Sequence, residues 1–214
     1  MQKEKKNLII IHGLAQKKKQ FNKIIASLED SYNVFYFDYS CQKSLESQIN
    51  YLLDFIIKNK IEEADFITSS FGAIIFRIFY SRRNCVVGGV VEVGPVNQGS
   101  KILEKVFKFK FIGNLFLGKI VFDFLLNKDK ILELELPKNI GVIAGNKRFS
   151  FLFPELYITN LITNAKNSDG KVFVNETKFN GMSDFLLVNE CHNNLLFNKI
   201  VIEKTKDFLE TGHF

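Results

Sequence analysis

The sequence has no uninterrupted apolar stretch of about eighteen residues, the length a membrane-crossing helix needs; Lys119 and Asp123 break the best candidate. Its first apolar run, Leu8 to Ile11, ends at His12 and is too short for the core of a secretory signal. Cysteine is scarce. Cys41, Cys85 and Cys191 are odd in number, far apart and without metal-ligand spacing, so neither a disulfide framework nor a zinc site is expected, and free thiols in a reducing compartment are. No zinc-finger spacing, RNA-binding aromatic signature or sustained basic helix occurs, so nucleic acid is not an expected partner. Internal repeats and low-complexity linkers are absent too. These absences lead to the expectation of a cytoplasmic protein.

What is present is enough apolar material for one sizeable core. With 46% hydrophobic and 24% charged residues in 214, a single globular domain over residues 1–214 is expected. The formal charge of +6 comes mostly from lysine near the N-terminus, at Lys17 to Lys19, and between Lys101 and Lys130. That last segment carries seven lysines against Glu104, Asp123 and Asp129. Such charge either decorates a solvated surface or attracts anionic lipid and acidic metabolites.

Short β-branched or aromatic runs alternate with segments of helical periodicity. Asn7–Ile11, Asn33–Phe37, Ala64–Thr68, Val86–Val93, Ile140–Ala144 and Phe185–Val188 read as strands. Helical spacing appears at Phe21, Ile24, Ile25 and Leu28, over Leu45–Ile57, over Phe71–Tyr80, and over Leu195–Leu209. This alternation implies an α/β fold with a mostly parallel, twisted sheet covered by helices on both faces. Ligands in such folds bind beyond the carboxyl ends of the strands, so the residues just after each strand carry the functional interest.

The third strand runs into Thr68-Ser69-Ser70-Phe71-Gly72. A serine nucleophile on a strand-to-helix turn wants small residues two before and two after it. Ser70 is flanked in this way by Thr68 and Gly72, whereas Ser69 is flanked by Ile67 and Phe71. Helix capping by either serine is the simpler alternative. The first strand ends His12-Gly13-Leu14, which suits an oxyanion loop with the Leu14 N–H turned inward. Of three histidines, His12 reads as structural and His213 sits next to the C-terminus, leaving His192, just before the last helix, as the base. Asp169, Asp184 and Glu190 all precede His192 in an order that fits an orienting acid, and spacing does not choose among them.

The segments IIIHGLA, DFITSSFGAIIFR, VEVGPVNQGS, IGVIAGN, NSDGKVFVNETKFNGMSDFLLV, ECHNNLL and FLETGHF together resemble the α/β-hydrolase superfamily. Within it they are most similar to the small bacterial esterase/lipase-like hydrolases related to class 2 lipases. The resemblance implies Ser70 as nucleophile, Asp169 as acid and His192 as base, with the backbone N–H groups of Leu14 and Phe71 as oxyanion donors. It also implies hydrolysis of carboxylic esters, with lipid esters among the candidates, through an acyl-enzyme, with no metal or cofactor required. Three departures stand out: Thr68 replaces the first glycine of the elbow, Ser69 the histidine usual before the nucleophile, and Ala73 a common second glycine.

The resemblance further implies a cap, here approximately residues 101–137, whose Phe107, Phe109, Phe111, Leu115, Phe116, Leu117, Phe122, Phe124 and Leu125 either receive an acyl chain or pack as plain core. Two other functions remain open at this level. One is a non-catalytic binding protein on the same fold, suggested by the Thr68-Ser69 departure. The other is an acyltransferase or thioesterase, which shares the acyl-enzyme.

Overall fold

The computed structural model describes residues 4–102, 104–105, 118–149 and 167–214. Six strands form one sheet: β1 (Lys6–Ile11), β2 (Tyr32–Phe37), β3 (Glu63–Ser69), β4 (Val86–Val93), β5 (Ile140–Gly145) and β6 (Asp184–Val188). Their order is β2-β1-β3-β4-β5-β6, and each neighbouring pair is parallel. The last four residues of β1 are buried on both faces, as a continuous apolar run requires of a central parallel strand.

The two-residue period of the strands divides the core in two. Ile9, Ile11, Phe66, Val90 and Val142 belong to one cluster, which also holds Ile49 and Leu52 of α2 (Leu45–Lys58) and Ile75 and Phe79 of α3 (Gly72–Arg82). Leu8, Ile10, Ile67, Val91 and Ile143 belong to the other, with Ile24 and Leu28 of α1 (Asn22–Leu28). A doubly covered parallel sheet is therefore the architecture, as the alternation of elements implied.

Helical spacing predicts one terminal helix from Leu195. Instead a 3-10 turn over His192–Phe197 precedes the helix Lys199–Thr211. The break lies at Asn198, which is extended and whose side chain accepts the N–H groups of Ile200 and Val201, so an N-cap restarts the helix there. In the segment 101–137, the described part forms helices α4 (Lys119–Leu126) and α5 (Lys128–Leu132). Ile120, Val121, Phe124 and Ile131 join the α2/α3 core, with Leu125 packed against it, and Phe122 is exposed. Phe107, Phe109, Phe111, Leu115, Phe116 and Leu117 lie outside the described residues. A short 3-10 helix (Lys18–Phe21) precedes α1, and two further helices are α6 (Val174–Thr177) and the terminal α7 (Lys199–Thr211).

One buried polar cluster interrupts the α2/α3 face. Glu92 pairs in register with Thr68, is fully buried, and accepts the Asn97 amide at 2.5 Å. Arg77 of α3 is buried and sends its guanidinium to the Leu132 carbonyl at 2.9 Å. Burial pushes the Glu92 carboxyl up to about 7, against the opposing pull of Asn97 and Arg77. The folded chain thus holds a proton that the unfolded chain releases near the ordinary value of 4.5. Stability from this group is present at low pH and is lost as pH rises between these values, by about 3 kcal/mol in all. Glu92→Gln is expected to remove that decline, read as urea midpoints from pH 5 to pH 8 for both proteins.

Candidate active site

The elbow is built where β3 hands over to α3. Ser70 lies between them with φ of +52°, a left-handed conformation that costs a non-glycine residue about 1–3 kcal/mol and collects at functional turns. Its N–H donates to the Val93 carbonyl at 3.0 Å, which fixes the turn to the neighbouring strand. Glycine two residues on is obligatory: a Cβ on Gly72 would lie 2.4 Å from the Ile11 carbonyl oxygen and 2.7 Å from that of His12. Gly13 closes from the other side, since a Cβ there would come within 2.8 Å of the Ser70 Cβ.

Thr68 is the next-to-last residue of β3. The alternation of β3 sends it to the face of Phe66 and Ser69 to the opposite one, and it is fully buried within the strand. Its hydroxyl has no hydrogen-bond partner among the described residues.

Ser70, His192 and Asp169 are brought into one hydrogen-bonded line. His192 Nε2 is 3.0 Å from Ser70 Oγ, and His192 Nδ1 is 2.6 Å from Asp169 Oδ2. A carboxylate only accepts, so Nδ1 carries the proton and Nε2 is left as the acceptor toward Ser70. Asp169 is wholly buried. Its Oδ1 accepts the N–H groups of Lys171 at 2.9 Å and Val172 at 2.8 Å, and its carbonyl accepts the His192 N–H at 2.9 Å. The Asp-Gly turn therefore holds its carboxylate in place with its own backbone.

Asp184 and Glu190 are not at this centre. Asp184 accepts the N–H groups of Phe185 and Phe214, each at 2.7 Å, and Glu190 accepts that of Cys191 at 2.9 Å. His213 is exposed at the chain end. His12 is buried and stacked on Tyr39, with ring centroids 4.2 Å apart. Its Nδ1 donates to the Gly13 carbonyl at 2.7 Å and its Nε2 accepts the Tyr39 N–H at 3.2 Å. Burial holds its pKa below the ordinary histidine value despite the nearby Asp38 carboxylate, so this imidazole is a neutral strut for the loop.

Gln16 is a residue that sequence reasoning missed. Its side-chain oxygen accepts the Gly13 N–H at 2.6 Å, and its amide donates to Ser69 Oγ at 3.1 Å. It thereby ties the His12-Gly13-Leu14 loop to the residue before Ser70. The only sequence signal was Ser69 itself, a small polar residue at the position where the family usually has histidine.

These groups open into a cleft of about 760 Å³ whose lining includes Leu14, Ser70, Phe71, Val96, Val172 and His192. Leu14 and Phe71 both line it, and neither N–H donates to a protein acceptor among the described residues. Among the described residues no group of three His, Cys, Asp or Glu side chains is placed to hold a metal ion, and no helix is long and apolar enough to cross a membrane.

No family model and no curated protein matches the chain by sequence. Solved structures do match. The mature form of the lipase BlEst2 from Bacillus licheniformis superimposes with a TM-score of 0.75 over 96% of this chain and 92% of its own, at 14% identity. An α/β hydrolase enzyme, MGS-MChE2, from a lagoon-sediment metagenome superimposes with a TM-score of 0.56 over 95% of this chain and 92% of its own, at 18% identity. The chain has the α/β-hydrolase fold. A monoacylglycerol lipase from Paleococcus ferrophilus shares this fold at a TM-score of 0.59, over 96% of this chain and 93% of its own, at 16% identity. In an α/β-hydrolase fold the turn after the nucleophile strand opens at the carboxyl edge of the sheet, where the Ser70 cleft lies.

Proposed function

We propose that the chain is a serine hydrolase that cleaves carboxylic esters through an acyl-enzyme on Ser70. The observation that carries this reading is the Ser70–His192–Asp169 line, with contacts of 3.0 and 2.6 Å. In the first half-reaction Ser70 Oγ attacks the ester carbonyl as His192 Nε2 takes its proton, and Asp169 stabilises the imidazolium so formed. The N–H groups of Leu14 and Phe71, the latter at the start of α3, receive the negative charge on the former carbonyl oxygen. His192 then protonates the leaving alkoxide. Water, activated by the same imidazole, releases the acid and regenerates Ser70.

A fluorophosphonate probe tests this directly. The wild type is expected to be labelled and Ser70→Ala is not; a folded wild-type protein that resists labelling would overturn the reading. The non-catalytic alternative is weakened by the orientation of His192 toward Ser70. Hydrolysis is separated from acyl transfer by adding alcohol or thiol acceptors to a turnover assay and measuring the product ratio.

The reading gives Gln16 a positioning role through the loop that carries Leu14. Gln16→Ala is expected to lower kcat by about 10- to 100-fold with little change in KM, because the loop donor acts chiefly in the transition state. Gln16→Glu keeps an acceptor for Gly13 and can accept the Ser69 hydroxyl proton, so most of kcat is expected to return. Steady-state kinetics on a soluble p-nitrophenyl ester compares the three proteins.

A further inference from the structure

We propose that the ester this cleft prefers carries a negatively charged group. The proposal rests on the serine hydrolase reading above and specifies its substrate class. Lys17 and Lys19, both exposed, line the cleft from the segment that follows the Leu14 loop. No carboxylate side chain belongs to the described lining. The acid of the site, Asp169, is wholly buried, and its two oxygens accept from His192 Nδ1 and from the backbone N–H groups of Lys171 and Val172.

Much of the remaining lining is apolar. It includes the buried residues Phe71, Val96, Ile102 and Val172. A ligand that fits this lining has an apolar stem next to the ester and an anionic group at the rim. Charges of one sign around a concave, partly apolar wall concentrate the field and raise the local concentration of the opposite charge. A neutral ester gains the apolar contacts alone, and a cationic ester meets repulsion.

Paired chromogenic esters test the idea. In one arm the charge sits on the acyl half, comparing mono-p-nitrophenyl glutarate with p-nitrophenyl pentanoate and with an acyl ester ending in trimethylammonium. In the other arm the charge sits on the alcohol half, comparing 4-nitro-3-carboxyphenyl butyrate with p-nitrophenyl butyrate. Each kcat/KM is divided by the hydroxide-catalysed rate of the same ester. In at least one arm the anionic ester is expected to be favoured by about 10-fold at 10 mM ionic strength. The preference is expected to shrink severalfold at 0.5 M salt, because the screening length falls from about 30 Å to a few Å. Lys17→Gln and Lys19→Gln are each expected to reduce the anionic-to-neutral ratio, and the double variant to bring it near one.

Turnover of neutral esters with no anionic preference in either arm overturns this proposal and leaves the serine hydrolase reading standing. An anionic preference that survives the double variant overturns the assignment to these lysines. Failure to turn over any ester, together with no fluorophosphonate labelling, overturns the underlying reading itself. Circular dichroism of every variant separates a lost preference from a lost fold.

Discussion

Ser70→Ala is expected to lower kcat by about 10⁶-fold, the scale seen when a nucleophile that works as a unit with its base is removed, while the protein keeps its fold. The reason for the size is chemical: without Oγ, no acyl-enzyme forms, and what remains is the contribution of the cleft and the N–H donors alone. The reason for the small structural effect lies in the backbone. Ser70 holds φ at +52° because Gly72 and Gly13 let two loops close over it and because its N–H is tied to Val93, not because its hydroxyl needs the position. Alanine inherits the same left-handed strain. Ser70→Gly relieves it, so that variant is expected to be equally inactive yet more stable by about 1 kcal/mol. Burst-phase and steady-state kinetics on a p-nitrophenyl ester give the first number, and urea midpoints of the three proteins give the second. A rise in stability on loss of the serine side chain is what a site that stores strain for function predicts, and a capping serine does not.

The strands were legible because each is a short β-branched or aromatic run bounded by polar turns, and Val86–Val93 matches its expected limits residue for residue. Their order across the sheet was not legible, because alternation of strand and helix says nothing about which neighbour each strand chooses. The same division holds at the site. Ser70 could be preferred over Ser69 from the size of the flanking residues, since that criterion acts within five positions. Gln16 was invisible because its partner Ser69 is 53 residues away. Thr68 looked like an obstruction when read as a missing glycine, yet strand alternation turns its side chain into the core beside Glu92. Asp169, Asp184 and Glu190 were equivalent by chain order. What separates them is spatial: the Asp184 carboxylate receives the N–H of Phe214 from the chain end, whereas that of Asp169 faces His192.

Asp169→Asn is expected to lower kcat by about 10⁴-fold with far less disturbance of the fold than Asp169→Ala. The asparagine oxygen can still accept the N–H groups of Lys171 and Val172, so the turn that carries the residue keeps its backbone hydrogen bonds. The change falls on the other side, where an NH₂ donor replaces the oxygen that lies 2.6 Å from His192 Nδ1. Two donors cannot share one hydrogen bond, so Nδ1 gives up its proton and becomes the acceptor. The imidazole proton then sits on Nε2, pointing at Ser70 Oγ 3.0 Å away, and the atom that must take the serine proton no longer has a lone pair to do so. Asp169→Ala would instead leave Nδ1 and two backbone N–H groups buried without a partner, at about 1–3 kcal/mol each, and mix a tautomer effect with unfolding. Nitrogen-15 NMR of the His192 ring distinguishes the two tautomers, and kcat measured on the same samples links the proton's position to turnover. If the asparagine variant shows the proton on Nε2 yet turns over near the wild-type rate, His192 is not the base for Ser70.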